Sequence, residues 1–249
     1  MKYIDNRIAV VTGASSGIGK AIARKFVKSG IKVVLGARSA DELAELKQEL
    51  KDEEGEVVYR TCDMTNQEQV VGLIRAAEET FGGLHILVNN AGVMPLSYLK
   101  NRHLEEWEQM VDVNIKGVLK ATYAALPYLK EQNSSHIINI ASADGRTIYP
   151  GGAVYAATKA AIIKFSEGIR TELSPSHNIH VTCIDPGTVD TPLRENITDE
   201  ELLEDNKDSW TEDEAKLLAE DIAECALFAI SQPERVNLSE MIVKPTGKG

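Results

Sequence analysis

Short runs rich in Val and Ile alternate with longer helical patterns along the chain, and this alternation restricts the possible folds more than any other feature. The runs are Ile8–Val11, Lys32–Leu35, Val57–Arg60, Ile86–Val88, His136–Ile140 and His180–Ile184, with Met241–Val243 closing the chain. They are too short for helices, and most are flanked by Gly, Pro, Asn or Asp, so they read as buried strands. The patterns between them, Lys20–Ser29, Ala40–Lys51, Gln67–Phe81, Glu105–Lys130 and Tyr155–Leu173, read as helices. Gly30 and Gly82-Gly83 supply stop signals, and Pro127 is expected to bend or break the long fourth pattern. Parallel strands need crossover helices, so the chain is expected to form one α/β domain over residues 1–249. Its core would be a doubly wound parallel sheet flanked by helices on both faces.

One stretch breaks the alternation. Glu195–Glu224 holds 13 acidic and 2 basic residues, which accounts for the whole net charge of -11. It is expected to be helical, and the sequence leaves open whether it is a solvated face or a mobile lid over a site, spanning about 191–224. The rest of the chain is neutral and has no basic run, which argues against nucleic acid as a partner. No apolar stretch reaches the length of a membrane span, and the first apolar run leads straight into a glycine motif, leaving no room for a signal peptide. The chain is therefore read as cytoplasmic. Cys62, Cys183 and Cys225 fit neither a disulfide framework nor a zinc site and read as buried free thiols. The five histidines are scattered, and no metal is expected.

The glycine motif is Thr12-Gly13-Ala14-Ser15-Ser16-Gly17-Ile18-Gly19, placed after the first strand and opening the first helix. Glycines there permit a tight turn and close backbone approach to a ligand, while the helix N-terminus presents N–H groups to a pyrophosphate. The spacing Gly-x-x-x-Gly-x-Gly resembles the short-chain dehydrogenase/reductase family, and the resemblance runs along nearly the whole chain. Further motifs appear in the family's order. Asn89-Asn90-Ala91-Gly92 follows the fourth strand, and Asp63-Met64 resembles the adenine-contacting pair. Asn114 and Ser142 match the catalytic asparagine and serine. Tyr155 and Lys159 match Tyr-x-x-x-Lys, and Pro186-Gly187 with Thr188, Val189 and Thr191 matches the loop at the nicotinamide end.

The resemblance implies a Rossmann-type fold and hydride transfer between a nicotinamide cofactor and a small carbonyl or alcohol substrate. Tyr155 would be the general acid/base, Ser142 would orient the reacting oxygen, and Asn114 would position a relay water. Lys159 would tune Tyr155 and hold the nicotinamide ribose. Positions i and i+4 share a helix face, so the Lys159 charge is expected to lower the phenol pKa from its free value of about 10. The resemblance also implies a homo-oligomer, dimer or tetramer, joined through Glu105–Lys130 and Tyr155–Leu173, with Met241–Gly249 contributing to another contact.

At the end of the second strand, Ala37 stands where an NAD-binding site carries a carboxylate. Arg38 and Ser39 follow and suit a 2′-phosphate, so NADP(H) is expected over NAD(H). Substrate contacts are expected from Val93–Asn101, where Met94, Pro95 and Leu96 are apolar. Ala143–Gly152 should add Asp144, Arg146 and Tyr149, and the segment after Thr191 should complete the set. Ala141 and Asp185 depart from the family pattern, and Asp185 raises a question about charge near the nicotinamide. Other readings are an NAD-dependent alcohol dehydrogenase, a ketoacyl reductase, a non-catalytic cofactor sensor, or a scaffold using the acidic stretch. The intact tetrad speaks against the sensor.

Overall fold

Seven strands pair in the order β3-β2-β1-β4-β5-β6-β7 in the computed structural model. The structure describes residue 4, residues 6–208, residue 210 and residues 215–246. The strands are β1 (Ile8–Thr12), β2 (Lys32–Ala37), β3 (Val57–Thr61), β4 (Ile86–Asn89), β5 (Ser135–Ile140), β6 (Ile179–Pro186) and β7 (Glu240–Val243), and every pairing is parallel. Each expected run extends by one to three residues.

The two faces of β1 show how the sheet is covered. Ala9 and Val11 pack into one core with Ile22, Phe26, Leu43, Leu46 and Ile222. Ile8 and Val10 pack into the other with Leu73, Ile74, Ala121, Leu129 and Ile169. With period two along the strand, one run of apolar residues feeds both layers, so β1 shows no polar alternation. The first layer comprises α1 (Gly17–Lys28), α2 (Ala40–Glu49) and α8 (Ala219–Ile230). The second comprises α3 (Gln67–Phe81), α5 (Val118–Lys130) and α6 (Ala153–His177). Strand order reverses between β1 and β4, which opens a crevice at the strands' carboxyl ends.

The long fourth helical pattern differs from expectation. Pro127 does not break it, because α5 runs through Pro127 to Lys130. The missing N–H falls near the helix end, where the preceding turn is exposed (Tyr123 is 73% exposed), so water can take up the slack. The irregularity lies earlier. Between α4 (Leu104–Met110) and α5, residues Val111–Gly117 form a wide π-helical turn, and Asn114 sits inside it.

The acidic stretch is also more structured than its charge suggested. It contains α7 (Glu200–Asn206) and the first half of α8. In α8 the acids Glu220, Asp221 and Glu224 leave Ile222, Ala223, Ala226, Leu227 and Ile230 in the core, an amphipathic pattern that counting charge alone conceals. Ser209 and residues 211–214 of this stretch lie outside the described residues, as do residues 247–249 of the expected C-terminal contact. Cys62 and Cys183 are buried as expected, whereas Cys225 is half-buried. Among the described residues no helix is long and apolar enough to cross a membrane.

Candidate active site

The glycine turn and the Asn-Asn-Ala-Gly turn are locked together by one hydroxyl. Thr12 Oγ1 donates to the Val88 carbonyl (3.1 Å) and accepts from the N–H groups of Asn90 (3.0 Å) and Ala91 (3.1 Å). The Asn90 side-chain amide donates back to the carbonyls of Thr12 (2.9 Å) and Gly13 (3.1 Å). Contact is close enough to exclude side chains. A Cβ on Gly13, whose φ is +65°, would lie 2.8 Å from Ala91 Cα, and one on Gly19 would lie 2.2 Å from the Gly13 carbonyl oxygen. Gly19 is thus required for packing and does not line the cavity, whereas Gly13, Ser15, Ser16, Gly17 and Ile18 do. Ser16 caps α1 without a side-chain hydrogen bond, so its hydroxyl does not occupy the first-turn N–H groups. Sequence alone gave Thr12 no role, because its partners lie more than 70 residues away.

One cavity of about 880 Å³ runs from this turn to the residues expected to be catalytic. At its far end the wall is formed by Ala37, Arg38, Cys62, Asp63, Met64 and Thr65. The Asp63 carboxylate accepts from Thr65 N–H and Thr65 Oγ1, both at 2.8 Å. The Thr65 N–H does most to hold that carboxyl below its ordinary range, against the effect of burial, with the Arg38 charge assisting. Ser39 lies off the wall, at the N-cap of α2. Asn90, Ala91 and Gly92 line the middle, together with Pro186, Gly187, Thr188, Val189 and Thr191.

At the other end Ser142, Tyr155 and Lys159 are 7%, 5% and 6% exposed and share the wall. Ser142 follows β5, and Tyr155 and Lys159 lie in the first two turns of α6. Lys159 Nζ donates to the Ile140 carbonyl (3.0 Å) and lies 5.6 Å from the centre of the Tyr155 ring. Burial brings the Lys159 pKa down to about 8, opposed by the carboxylates of Asp185 and Asp144. The expected lowering of the Tyr155 pKa is not found. Burial, with Asp144 adding, pushes the phenol above its ordinary value, and the Ser142 hydroxyl opposes this only in part. Desolvation of the phenolate outweighs what an i+4 spacing suggests.

Asn114 is 1% exposed and lies behind the wall. Its Oδ1 accepts from Val93 N–H (2.8 Å), and its Nδ2 donates to the Val93 carbonyl (2.9 Å) and Thr158 Oγ1 (3.2 Å). Gly92 stands in front of it. A Cβ there would lie 3.3 Å from Asn114 Oδ1 and 3.6 Å from Lys159 Nζ.

Of the expected substrate contacts, Met94, Leu96, Asp144 and Tyr149 line the cavity, while Pro95 and Arg146 do not. Arg146 instead donates through Nε to the fully buried Asp185 (2.9 Å) and pairs with Glu240 (2.7 Å). That pairing answers the question about Asp185, whose charge has a guanidinium beside it. Tyr149 Oη donates to Asp144 Oδ2 (3.3 Å), and burial pushes the Asp144 carboxyl up.

The segment after Thr191 covers this end, with Pro192, Leu193, Arg194, Asn196, Asn206 and Trp210 on the wall. It is fastened at Asp199, which is 2% exposed. Its carboxylate accepts from Tyr98 N–H (2.9 Å), Leu202 N–H (3.2 Å) and Asn101 Nδ2 (2.9 Å). Nothing in the sequence distinguishes this aspartate from its acidic neighbours.

A family model described as short chain dehydrogenase matches residues 7–202. An uncharacterized oxidoreductase of Staphylococcus saprophyticus is 38% identical, the match covering 100% of this chain and 99% of the relative. The closed form of a serine dehydrogenase complexed with NADP+ superposes with a TM-score of 0.88 at 33% identity, covering 97% of this chain and 96% of that one. A short chain dehydrogenase/reductase from Burkholderia phymatum in complex with NAD also gives 0.88, at 29% identity over 97% and 90% of the two chains.

Proposed function

The chain belongs to the short chain dehydrogenase family, and from that premise we propose that it is a cytoplasmic NADP(H)-dependent oxidoreductase that interconverts a carbonyl and an alcohol on a small molecule. The observation that carries the reading is the convergence of buried Ser142, Tyr155 and Lys159 on the same cavity that the glycine turn and Arg38 line.

The residues present fit a nicotinamide dinucleotide. The first turn of α1 has no side-chain cap and suits a pyrophosphate. Gly13 leaves no side chain in the way, and Asp63 and Met64 suit the adenine end. Solved neighbours hold NADP+ in one case and NAD in another, so the preference rests on the β2 terminus. Ala37 supplies no carboxylate for a ribose 2′-hydroxyl, and Arg38 on the wall suits a 2′-phosphate.

The bound nicotinamide would supply or accept the hydride. Tyr155 Oη gives its proton to the carbonyl oxygen in reduction and takes it back in oxidation. The raised pKa keeps the phenol protonated in the free site, the form that reduction requires. Ser142 donates to the same oxygen. Lys159 remains mostly charged at neutral pH and would hold the nicotinamide ribose, with no Gly92 side chain in the way. Asn114 Oδ1 spends one lone pair on Val93 and keeps a second for a relay water. Leu104, Leu119 and Tyr123 are exposed on α4 and α5, which supports a homo-oligomer through these helices.

The test is a fluorescence titration with NADPH and NADH, followed by carbonyl reduction assays. Tyr155→Phe is expected to lose about 10³-fold in kcat while binding NADPH as wild type does. Retained activity would remove Tyr155 from the mechanism. Ala37→Asp with Arg38→Ile is expected to reverse the cofactor preference, and an unchanged preference would refute the role of Arg38.

A further inference from the structure

We propose that Asp185 is a positioning residue for the catalytic end: held by Arg146, its buried carboxylate keeps the Lys159 side chain a cation, fixed at the Ile140 carbonyl. The inference rests on the oxidoreductase function above and adds the residue through which Lys159 is set.

The strand and the turn that carry this pair both pack on α6 at Lys159. On β6, Val181, Cys183 and Asp185 share one face. Val181 lies in the core with Ile169, and Cys183 packs with Ala141, Ile162 and Ile163. Asp185 continues that face toward the carboxyl end of the sheet, where Lys159 stands one turn before Ile162 and Ile163 on α6. Its neighbours along the strand are tied to the same place. The Ile184 carbonyl accepts from Ala141 N–H (2.8 Å), and the Pro186 carbonyl accepts from Ser142 Oγ (3.4 Å). The turn Ala143–Gly145 lies so close to α6 that a Cβ on Gly145 would be 2.9 Å from the Lys159 carbonyl carbon. Arg146 follows that turn and reaches back to Asp185.

Both Asp185 oxygens are engaged. Arg146 Nε donates to Oδ2 (2.9 Å), its Nη2 lies 2.9 Å from the same oxygen, and Cys183 Sγ donates to Oδ1 (3.2 Å). Burial, with the Asp185 charge adding, pushes the Cys183 thiol up, so it stays a donor. The Arg146 and Asp185 side chains are 35% and 0% exposed, and the guanidinium also pairs with Glu240 of β7. The positive partner thus lies toward solvent and the carboxylate lies toward α6. The charges that reach Lys159 are negative, from Asp185 on β6 and more weakly from Asp144 on the turn, and they work against burial. Tyr155, one turn earlier on α6, is a neutral phenol there.

Stability does not account for such a pair. Desolvation of a buried ion pair offsets most of its attraction, and apolar side chains of similar volume often serve as well. A carboxylate behind Lys159 does what an apolar side chain cannot. It offsets the loss of water around an ammonium that burial would otherwise discharge. Once Tyr155 has given up its proton, that cation stands 5.6 Å from the centre of the phenolate ring.

The test follows Lys159 directly, by NMR of the full chain isotope-labelled at lysine Cε and titrated through the alkaline range. The signal missing from Lys159→Arg reports Lys159. In wild type its midpoint is expected at about 8. In Asp185→Asn it is expected to fall by about one pH unit, because removing a negative charge disfavours the ammonium. Glu240→Gln should leave it in place, since the Glu240 side chain is 36% exposed and screened. Asp144→Asn should move it less than Asp185→Asn does. An unmoved midpoint in Asp185→Asn overturns the proposal even where Tm falls, because that combination marks a role in folding alone. A larger movement in Asp144→Asn assigns the role to Asp144 and overturns it too. Should Asp185→Asn not fold, wild type labelled at aspartate Cγ decides. The Asp185 carboxyl signal is expected to inflect at the Lys159 midpoint, and a flat trace refutes the coupling. NADPH titration of wild type tests the oxidoreductase function separately, and an absence of binding overturns that function whatever the midpoints show.

Discussion

At the glycine turn the cavity wall is largely main chain, and at the cover it is held by side chains. Around Gly13 and Gly19 the backbone segments approach too closely for any Cβ, and a single threonine hydroxyl ties them to the β4 turn. The cover rests on Ile197 and Leu202, which are buried, and on polar fastenings around Asp199. Lys100–Glu201 (2.5 Å), Tyr98–Asp205 (2.9 Å) and Thr198–Glu106 surround it on exposed positions. A wall built from backbone tolerates almost no substitution and answers little to salt or pH. A wall fastened by side chains can change residue by residue, so the lining can vary at the cover while the glycine turn stays the same.

The contrast can be broken most severely at Gly19. Gly19→Ala is expected to cost about 3 kcal/mol, since its Cβ would meet the Gly13 carbonyl and the Asn90 amide. A thermal melt should show Tm falling by roughly 6–12 °C, and NADPH binding should be lost. A variant with wild-type Tm and affinity would mean that the backbone approach is not rigid.

Asp199→Asn sharpens the contrast from the other side. Its amide brings a donor toward the Tyr98 and Leu202 N–H groups, at a cost of about 1–3 kcal/mol. Substrate KM should rise about tenfold, with the NADPH Kd unchanged. An equal loss in both would show that the two ends are one unit. The same residue sets a pH response. Burial alone would raise the Asp199 carboxyl, but hydrogen bonds from Asn101, Tyr98 and Leu202 outweigh it and hold the pKa below its ordinary value. A carboxyl with a depressed folded pKa stabilises above its unfolded value of about 3.9 and loses that contribution as pH falls through the folded value. The cover should therefore stay docked at neutral pH and loosen only in strong acid, ahead of any change in NADPH binding.

The smallest effect belongs to Lys100→Met. The Lys100 and Glu201 side chains are 64% and 47% exposed, so screening leaves their pairing little weight. KM should stay within about twofold of wild type. A larger rise would mean that the outer fastenings act as a network.

The same division explains what could be read from the sequence. Strands, helices and the glycine turn rest on neighbours within a few residues, and Gly13, Ser142, Tyr155 and Lys159 fall where their spacing placed them. The Thr12 clasp, the turning of Arg146 toward Asp185, and the Asp199 fastening depend on partners distant in sequence, which no local pattern records. α8 was obscured for another reason, since its acids lie on the helix flank that leaves Ile222 and Ala226 inward. The sign of the Tyr155 shift needed the depth of burial, a property of the assembled fold.

The wide turn at Val111–Gly117 has a consequence for how this chain can vary in length. Each residue in a helix rotates the next by about 100°. Removing one residue from the wide turn would close it toward an ordinary helical turn, leaving Ala121, Ala125 and Leu129 in the second core but drawing Asn114 off Val93. An inserted residue would swing those core positions out as well. Natural variants should therefore lengthen and shorten freely around the cover, while the stretch from α4 to α5 keeps a constant count of residues even where its letters change.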